Sequence, residues 1–405
     1  GYQGICYKNM PKNLKRLSDL NIPVIIRVPL AKGINDTPEE IERRETLLKS
    51  LTNIIRIDSF YVSNHGASKY KALQKEMMWK ASVADEKSDH VTALGELLID
   101  FTENGTSAQG NPLFEANPGG APCNVLAMLT KLGHKTAFIG KVGDDFFGKQ
   151  LREAITEVGI DSTGLLSDPE IHTTLAMVHT YPDGDRDFSF YRNPGADMML
   201  KEDEIPTELI KNSKIFHFGT LSMTHDGVRA ATKKAISIAE EANALISFDP
   251  NLRPPLWKSL DDAKEQVLYG LGHCNILKIS DNEIQWLTGK EDYTDGVNWI
   301  RERYNIPLIL VSMGKEGSRA YYEDKIVEIK PFLQKNTIET TGAGDTFCGC
   351  VLHYICEHGL DNLTEADLTS MLTFANAAAA RITTRKGALR VMPDRAEIEK
   401  EIVSR

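Results

Sequence analysis

Ile338-Glu339-Thr340-Thr341-Gly342-Ala343-Gly344-Asp345-Thr346-Phe347 is the stretch from which the fold of this chain is read. It is a polar, Gly-rich turn that runs straight into an apolar-periodic segment, Phe347 to Glu357, ending at Gly359. Small residues let the backbone turn tightly, and the first N–H groups of the helix that follows have no partner within it. Such a terminus attracts an anion, aided by the helix dipole. Asp345 stands where that anion would sit. A carboxylate there is unfavourable unless it takes a proton from something, so Asp345 reads as a general base. An Asp that only N-caps the helix is the plainer alternative, and for an isolated Asp-Thr pair it is the better one.

Two phosphate-binding motifs fail here. Gly344 and Gly349 have Walker A spacing, but Cys350-Val351 stand where Lys-Ser/Thr is required. No dinucleotide G-x-G-x-x-G fingerprint is present, and the loop lies near the C-terminus rather than in a first βαβ unit. Thr341-Gly342-Ala343-Gly344-Asp345 instead resembles the T-G-A-G-D signature of the ribokinase-like (PfkB) sugar kinases. That resemblance implies a three-layer α/β sandwich with a mainly parallel sheet and a small β lid, using ATP and Mg²⁺. It also implies that backbone N–H groups of Gly342, Ala343 and Gly344 hold the γ-phosphoryl oxygens. Thr341 would lie beside the nucleotide, and Asp345 would take the proton of the acceptor hydroxyl.

At 405 residues, with 41% hydrophobic and 26% charged residues, the chain is ordinary globular material long enough for two domains. A net charge of -10 offers no basic field for nucleic acid, yet a few local donors and Mg²⁺ suffice for ATP. Six cysteines are scattered without a C-x-x-C pair. Cys348 and Cys350 read as small core residues, and a reduced, cytoplasmic setting is expected. No signal peptide or uninterrupted apolar span of membrane length is visible. Gly1 in place of a starting Met suggests a processed or truncated product.

Residues 1–80 read as a separate α/β segment. A Lys-rich helix (Lys12 to Asp19) precedes the apolar run Ile22 to Val28 and a loop from Pro29 to Asp36. Thr37-Pro38-Glu39-Glu40 is a strong helix start, followed by a helix to about Leu51 and a strand from Ile54 to Tyr61. The runs Val24 to Pro29, Gly33 to Asp36 and His65 to Tyr70 resemble the last barrel strands and helices of glycyl-radical-enzyme activating proteins, which are radical-SAM enzymes. Their cluster needs a C-x-x-x-C-x-x-C run, and this region has only Cys6. Without three thiolates there is no iron–sulfur cluster to bind. The expectation is a partial, catalytically silent barrel fragment in which Arg27 and His65 are structural. Its exposed edges would pack on a partner, on the rest of the chain, or remain partly disordered. Residues 81–90, polar and without apolar periodicity, are the expected linker.

The second segment, 91–405, opens with Val91-Thr92-Ala93-Leu94-Gly95-Glu96-Leu97-Leu98-Ile99-Asp100, a buried-strand run ending in an acid. A carboxylate at a strand end can take two adjacent sugar hydroxyls, although a loop Asp is the better reading of Asp100 alone. Asn117-Pro118-Gly119-Gly120-Ala121-Pro122-Cys123-Asn124 leads into a helix from Val125 to Leu132. Gly119 and Gly120 permit close backbone approach, and Asn124 offers both a donor and an acceptor. This run, continued by Gly140 to Gly148, resembles the first signature of the same kinase family. Thr173 to Tyr181, the turn Pro182 to Asp185 and the return Asp187 to Arg192 make a β-hairpin by pattern, comparable to the family's lid. Arg192 reads equally as a cation reaching substrate oxygens or as a solvated strand end. Tyr191 to Ala196 resembles the fructokinase branch.

Strand-like runs Lys214 to Leu221, Leu245 to Asp249, Ile276 to Ile279 and Leu308 to Ser312 alternate with helical patterns, which implies a parallel sheet covered on both faces. Ligands bind at the carboxyl ends of such strands, and polar residues collect there: Asp249 to Arg253, Ser280 to Glu283, and Ser312 to Gly317. By the resemblance, Glu283 organises Mg²⁺ and phosphate water. Ser280 replaces the usual Asn and would reach phosphate only through water. Ser312 and Gly314, with Gly317 after them, match positions lining the ribose and phosphates. Asn376 would sit near adenine, within a poly-Ala stretch that is otherwise a tightly packed helix, and Gly387 would close the pocket. Glu339 stands where the family has an Asp associated with a monovalent cation, so K⁺ activation is an expectation.

The resemblance thus implies ATP-dependent phosphorylation of a primary sugar hydroxyl, with Asp100, Gly120, Asn124 and Arg192 orienting the sugar. The motifs favour fructose over 2-keto-3-deoxygluconate, ribose or a nucleoside. A non-catalytic sugar sensor stays open because of Ser280 and Glu339. A homodimer through the lid is an expectation by analogy.

Overall fold

A computed structural model of the chain describes residues 24–30, 46–49, 54–61, 90–180 and 186–404. The chain divides into two compact units, Gly1–Glu86 and Lys87–Arg405. In the first, β1 (Val24–Leu30) and β2 (Ile54–Tyr61) pair in parallel, with Ile26 opposite Ile57. Residues 46–49 are helical. Strand β1 runs past Val28 into Pro29 and Leu30, where the sequence suggests a loop; the fixed φ of Pro29 suits extended backbone. Cys6, the loop before Thr37, the Thr37 helix start, His65 and the linker up to residue 89 lie outside the described residues.

In the second unit the strands are, in chain order, β3 (His90–Leu94), β4 (Leu98–Thr106), β5 (Pro112–Gly119), β6 (Lys135–Gly143), β7 (Asp161–Asp168), β8 (Leu175–Thr180) and β9 (Arg186–Tyr191). There follow β10 (Ile215–Gly219), β11 (Leu245–Asp249), β12 (Ile276–Ser280), β13 (Leu308–Ser312), β14 (Ser318–Tyr322) and β15 (Lys325–Ile329). Nine of them form one sheet in the order β15-β14-β13-β12-β11-β10-β3-β6-β7. All its pairings are parallel except those of β14 with β13 and β15.

Side chains alternate across a strand, and that alternation builds two cores here. Ile276, Leu308 and Leu310 point to one face, where they meet α1 (Ala121–Lys131), α5 (Ala343–His358) and α6 (Glu365–Ile382). Leu277, Ile279, Ile309 and Val311 point to the other face. There they meet α2 (Asp226–Glu241), α3 (Leu260–His273) and α4 (Asp281–Thr288). The result is a three-layer sandwich: a mainly parallel sheet covered on both faces, as the alternating pattern implies, and of the kind that the resemblance to ribokinase-like kinases implies.

A second sheet, β5-β4-β8-β9, is the lid. The run Val91 to Asp100 is not one strand. It leaves the large sheet after Leu94, where the Gly95 N–H donates to the Ile139 carbonyl, and enters the lid at Leu98. Asp100 consequently lies within a lid strand, opposite Asn117, rather than at the end of a central one. Strands β8 and β9 pair antiparallel as the hairpin pattern implies, and their turn, residues 181–185, lies outside the described residues.

Helix α5 begins at Ala343, before the apolar period does, because Gly342 takes a left-handed φ of 75° as its N-cap. Asp345 therefore lies in the first turn and caps nothing. One turn on, Gly349 lets α5 press against α1: a Cβ at 349 would lie 2.7 Å from Met128 Cβ and 3.0 Å from the Val125 carbonyl oxygen.

Candidate active site

A cavity of about 600 Å³ opens where the lid faces the carboxyl ends of the central strands. The lid and its approach contribute Glu96, Leu98, Asp100 and Phe190, and the start of α1 contributes Gly120, Ala121 and Asn124. Asn251, Arg253, Lys278 and Asn282 come from the ends of β11 and β12, and Thr340, Thr341, Gly342, Gly344 and Asp345 from the start of α5.

Asp345 is half-buried. Its Oδ2 accepts a hydrogen bond from Asn124 Nδ2 at 2.8 Å. Burial pushes its carboxyl up to about 6; the Asn124 bond opposes this, Asp249 adds to it, and Lys278 and Arg253 oppose it. A carboxylate so tuned can take a proton near neutral pH. The other end of the same amide, Asn124 Oδ1, is buried and has no partner among the described residues. Buried acceptors are ordinarily paired, so this one has capacity for a ligand hydroxyl.

Asp249 and Lys278 meet because strand parity brings them together. Phe248 pairs with Leu277, so the next residue of each strand stands on the opposite face, above α5. Lys278 Nζ lies 2.9 Å from Asp249 Oδ2. Burial works against the ammonium, but Asp249 and then Glu283 outweigh it and hold it above the ordinary lysine range. Asp249 Oδ1 is buried without a partner and borders a cavity of about 10 Å³ shared with Glu96 and His217, the room of one water. Glu96 accepts from the Ala121 N–H at 2.9 Å. Burial pushes it up to about 7, against the pull of its own and the Ala121 N–H.

Arg192 is neither solvated nor on the cavity wall. Its side chain is 2% exposed and pairs with Asp197 at 2.6 Å. Its other contacts are Thr224 Oγ1 at 2.8 Å and the Leu221 carbonyl at 2.9 Å. It braces Leu221, which lines the cavity. Gly119 passes directly beneath the Asp100 carboxylate, where a Cβ would lie 2.2 Å from Oδ2.

The residues expected on the nucleotide side are engaged with the protein. Ser280 N-caps α4, accepting from the Glu283 N–H at 3.3 Å, while Glu283 Oε2 accepts from the Ser280 N–H at 2.8 Å. Glu283 Oε1 accepts from the Leu252 N–H at 2.7 Å, so both carboxylate oxygens are taken. Ser312 pairs with Ser280 across β13 and β12, and Gly314 and Gly317 form the tight turn after it. Asn376 donates to the Ile329 carbonyl at 3.1 Å, and Glu339 accepts from the Gly387 N–H at 2.7 Å. The Ala343 N–H, expected to face phosphate, is directed at the Thr340 carbonyl 3.3 Å away.

A family model described as pfkB family carbohydrate kinase matches residues 88–395. The chain belongs to this family. Fructokinase-1 of Zea mays is 41% identical over 310 residues, covering 76% of this chain and 96% of that protein. The crystal structure of a Xylella fastidiosa fructokinase with bound ATP superposes with a TM-score of 0.72 at 27% identity, over 78% of this chain and 99% of that one. A double mutant of the Vibrio cholerae O395 fructokinase, with fructose, ADP and potassium ion bound, gives 0.70 at 29% identity over 79% and 99%.

For a pfkB kinase the cavity suits a nucleotide phosphate, since Gly342, Gly344 and the Lys278 ammonium converge on it. It does not present a metal cage: among the described residues no three His, Cys, Asp or Glu side chains converge to hold an ion. Mg²⁺ commonly rides on substrate phosphates and keeps its waters, which such a site accommodates. No helix among the described residues is long and apolar enough to cross a membrane. Glu96, Asn251, Arg253, Lys278 and Asn282 received no role from the sequence. A lysine inside the apolar run Ile276 to Ile279 was the available signal, since a buried ammonium needs a partner.

Proposed function

We propose that this pfkB chain transfers the γ-phosphoryl group of ATP to a primary hydroxyl of fructose. The observation that carries the reading is the Asn124–Asp345 pair, 2.8 Å apart at the floor of the cavity, with a free amide oxygen beside a base of raised pKa. The names of the similar proteins, fructokinases with ATP or with fructose and ADP bound, support the choice of substrates.

In this reading Asp100, Gly120 and Asn124 orient the sugar, with Arg192 and Gly119 acting from behind. Asp345 accepts the hydroxyl proton as the oxygen forms its bond to phosphorus and ADP leaves. The Gly342 and Gly344 N–H groups face the phosphoryl oxygens, and the Ala343 N–H joins them if it turns from Thr340. Bound Mg²⁺ would supply neutralisation of phosphate charge, and Ser280 and Glu283 would hold it only through water. Thr341, Ser312, Gly314 and Gly317 flank the ribose and phosphates, Asn376 lies by adenine, and Gly387 closes the pocket on Glu339, where K⁺ would act. Lid-strand residues Leu113, Phe114 and Tyr191, 47%, 42% and 65% exposed, suit a homodimer through the lid. Residues 1–80 and the 81–90 linker are a silent remnant of the radical-SAM-like kind, and the kinase works in the cytoplasm.

Release of ADP from Mg-ATP, measured for the whole chain with fructose, ribose, 2-keto-3-deoxygluconate and adenosine, tests this. Turnover is expected to be fastest with fructose. No turnover with any of the four ends the reading.

A further inference from the structure

We propose that Glu96 is a positioning residue for the transfer: its carboxyl clamps the first turn of α1 to the crossover that feeds the lid, and so holds the Asn124 amide at Asp345. The proposal rests on the kinase reading above. Glu96 lies in residues 95–97, the short link between β3 in the large sheet and β4 in the lid, and is buried there. Helix α1 enters without a cap of its own. Gly120, its N-cap, has no side chain to offer, and Pro122 has no N–H. The Asn124 N–H is taken by the Gly120 carbonyl at 3.0 Å. The Ala121 N–H, so early in the helix, has no acceptor within it, and Glu96 Oε1 accepts it at 2.9 Å from 25 residues earlier in the chain. Backbone contact interlocks the same two segments. A Cβ at Gly120 would lie 2.3 Å from the Glu96 carbonyl oxygen, and one at Gly95 would lie 2.5 Å from Pro122 Cγ. Asn124, in the first turn of α1, takes its place from this junction, and its Nδ2 meets Asp345 Oδ2 at 2.8 Å.

The role belongs to the acceptor oxygen rather than to the charge. Glu96 faces His217 and Asp249 across the small cavity, Cys123 on α1, and Asp197 and Arg192 from the segment after β9. Burial pushes its carboxyl up to about 7, so it stands near its midpoint at neutral pH. Oε1 accepts from Ala121 in either state, since a carboxyl protonated on its other oxygen keeps acceptor capacity. A residue retained to set the field at Asp345 would instead have to stay charged.

Two mild variants separate reach from charge. Glu96→Gln keeps an acceptor at the same reach, and Glu96→Asp keeps a carboxylate but falls short by a methylene; Glu96→Ala removes both. With Mg-ATP and fructose, kcat/KM for fructose is expected to fall about 10-fold in the Asp and Ala variants, the scale of one lost hydrogen bond, with ATP KM unchanged. Gln should recover most of that loss. The Asp variant should also move the acid limb to higher pH, because the Asn124 bond that favours the Asp345 carboxylate loosens. Loss of a negative charge alone moves that limb lower, so in the Gln variant it should hold or fall. Circular dichroism checks folding, and if the Ala variant does not fold, the Asp and Gln pair decides. A folded Asp variant with the parent's kcat/KM overturns the proposal, as does a Gln variant as poor as the Asp one, or an ATP KM that rises as much as that of fructose. Absence of turnover in the parent chain overturns the kinase reading, and this role with it.

Discussion

The two halves of the cleft are built on the same sheet edge but differ in how their polar groups are used. Around the proposed acceptor end, among the described residues, Asn124 Oδ1 and Asp249 Oδ1 are buried and unpaired, and Lys278 has a single hydrogen-bond partner. Around the nucleotide end, Ser280 and Glu283 satisfy each other, Glu283 also holds Leu252, Asn376 holds Ile329, and Glu339 holds Gly387. Buried polar groups ordinarily find partners, so spare capacity at one end supports the substrate contacts proposed there. Saturation at the other means that a nucleotide meets mostly backbone and surface there, or that side chains exchange partners to receive it.

Asp345→Asn tests the unsatisfied half most severely, with turnover expected to fall about 10³-fold by loss of the base. The same change should stabilise the fold. Burial raises the carboxyl from 3.8 to about 6 in the folded chain, so its ionised form is disfavoured there. Removing that charge should stabilise the fold at pH 7 by on the order of 1–3 kcal/mol, read as a higher thermal midpoint. The gain should shrink as pH drops through about 6 and vanish below 3.8, where the group is neutral folded or unfolded. An unchanged midpoint at pH 7 would mean that Asp345 is not held against its preference.

Asn124→Ala should lower kcat/KM for the sugar by roughly 10- to 100-fold, the range for a hydrogen bond to a charged group. The acid limb should move to higher pH, because the lost donor favoured the carboxylate. Glu283→Ala probes the saturated half and should cost about 1–2 kcal/mol in urea unfolding through the lost Ser280 and Leu252 bonds, with a fall in kcat through the lost water-mediated reach to Mg²⁺. A large fall in kcat at unchanged stability would dissolve the contrast between the halves. Smallest is Asn376→Ala, expected to cost about 1 kcal/mol through the Ile329 carbonyl, with ATP KM nearly unmoved.

The sheet was legible because buried parallel strands are short continuous apolar runs: β11 and β13 have the ends the sequence suggests, and β12 extends one residue further. The meeting of Asp345 with Asn124 has a local signal, because each sits in the first turn of a helix entered through glycine, in a run whose composition suggests an anion or a hydroxyl nearby. The break after Leu94 was hidden, since the hydrophobic run continues from one sheet into the other. Partnerships distant in sequence were hidden as well. Nothing near Asn376 signals that it will spend its amide on Ile329, and nothing local tells that Arg192 folds back onto Asp197 and Thr224. Lys278 was overlooked because an apolar run absorbs one lysine without disturbing the pattern.

Gly349 has a consequence for how this enzyme can diversify. With no side chain between them, α5 and α1 form one block that carries both Asp345, the proposed proton acceptor, and Asn124, the amide proposed to read the acceptor hydroxyl. A single methyl at that position would act as a shim, parting the two groups together with the helices that bear them. Changes of acceptor preference that shift α1 would therefore disturb the chemistry at the same stroke. New sugars are more readily admitted from the opposite wall, through Leu98, Asp100 and Phe190 of the lid, which can vary without dragging the base along.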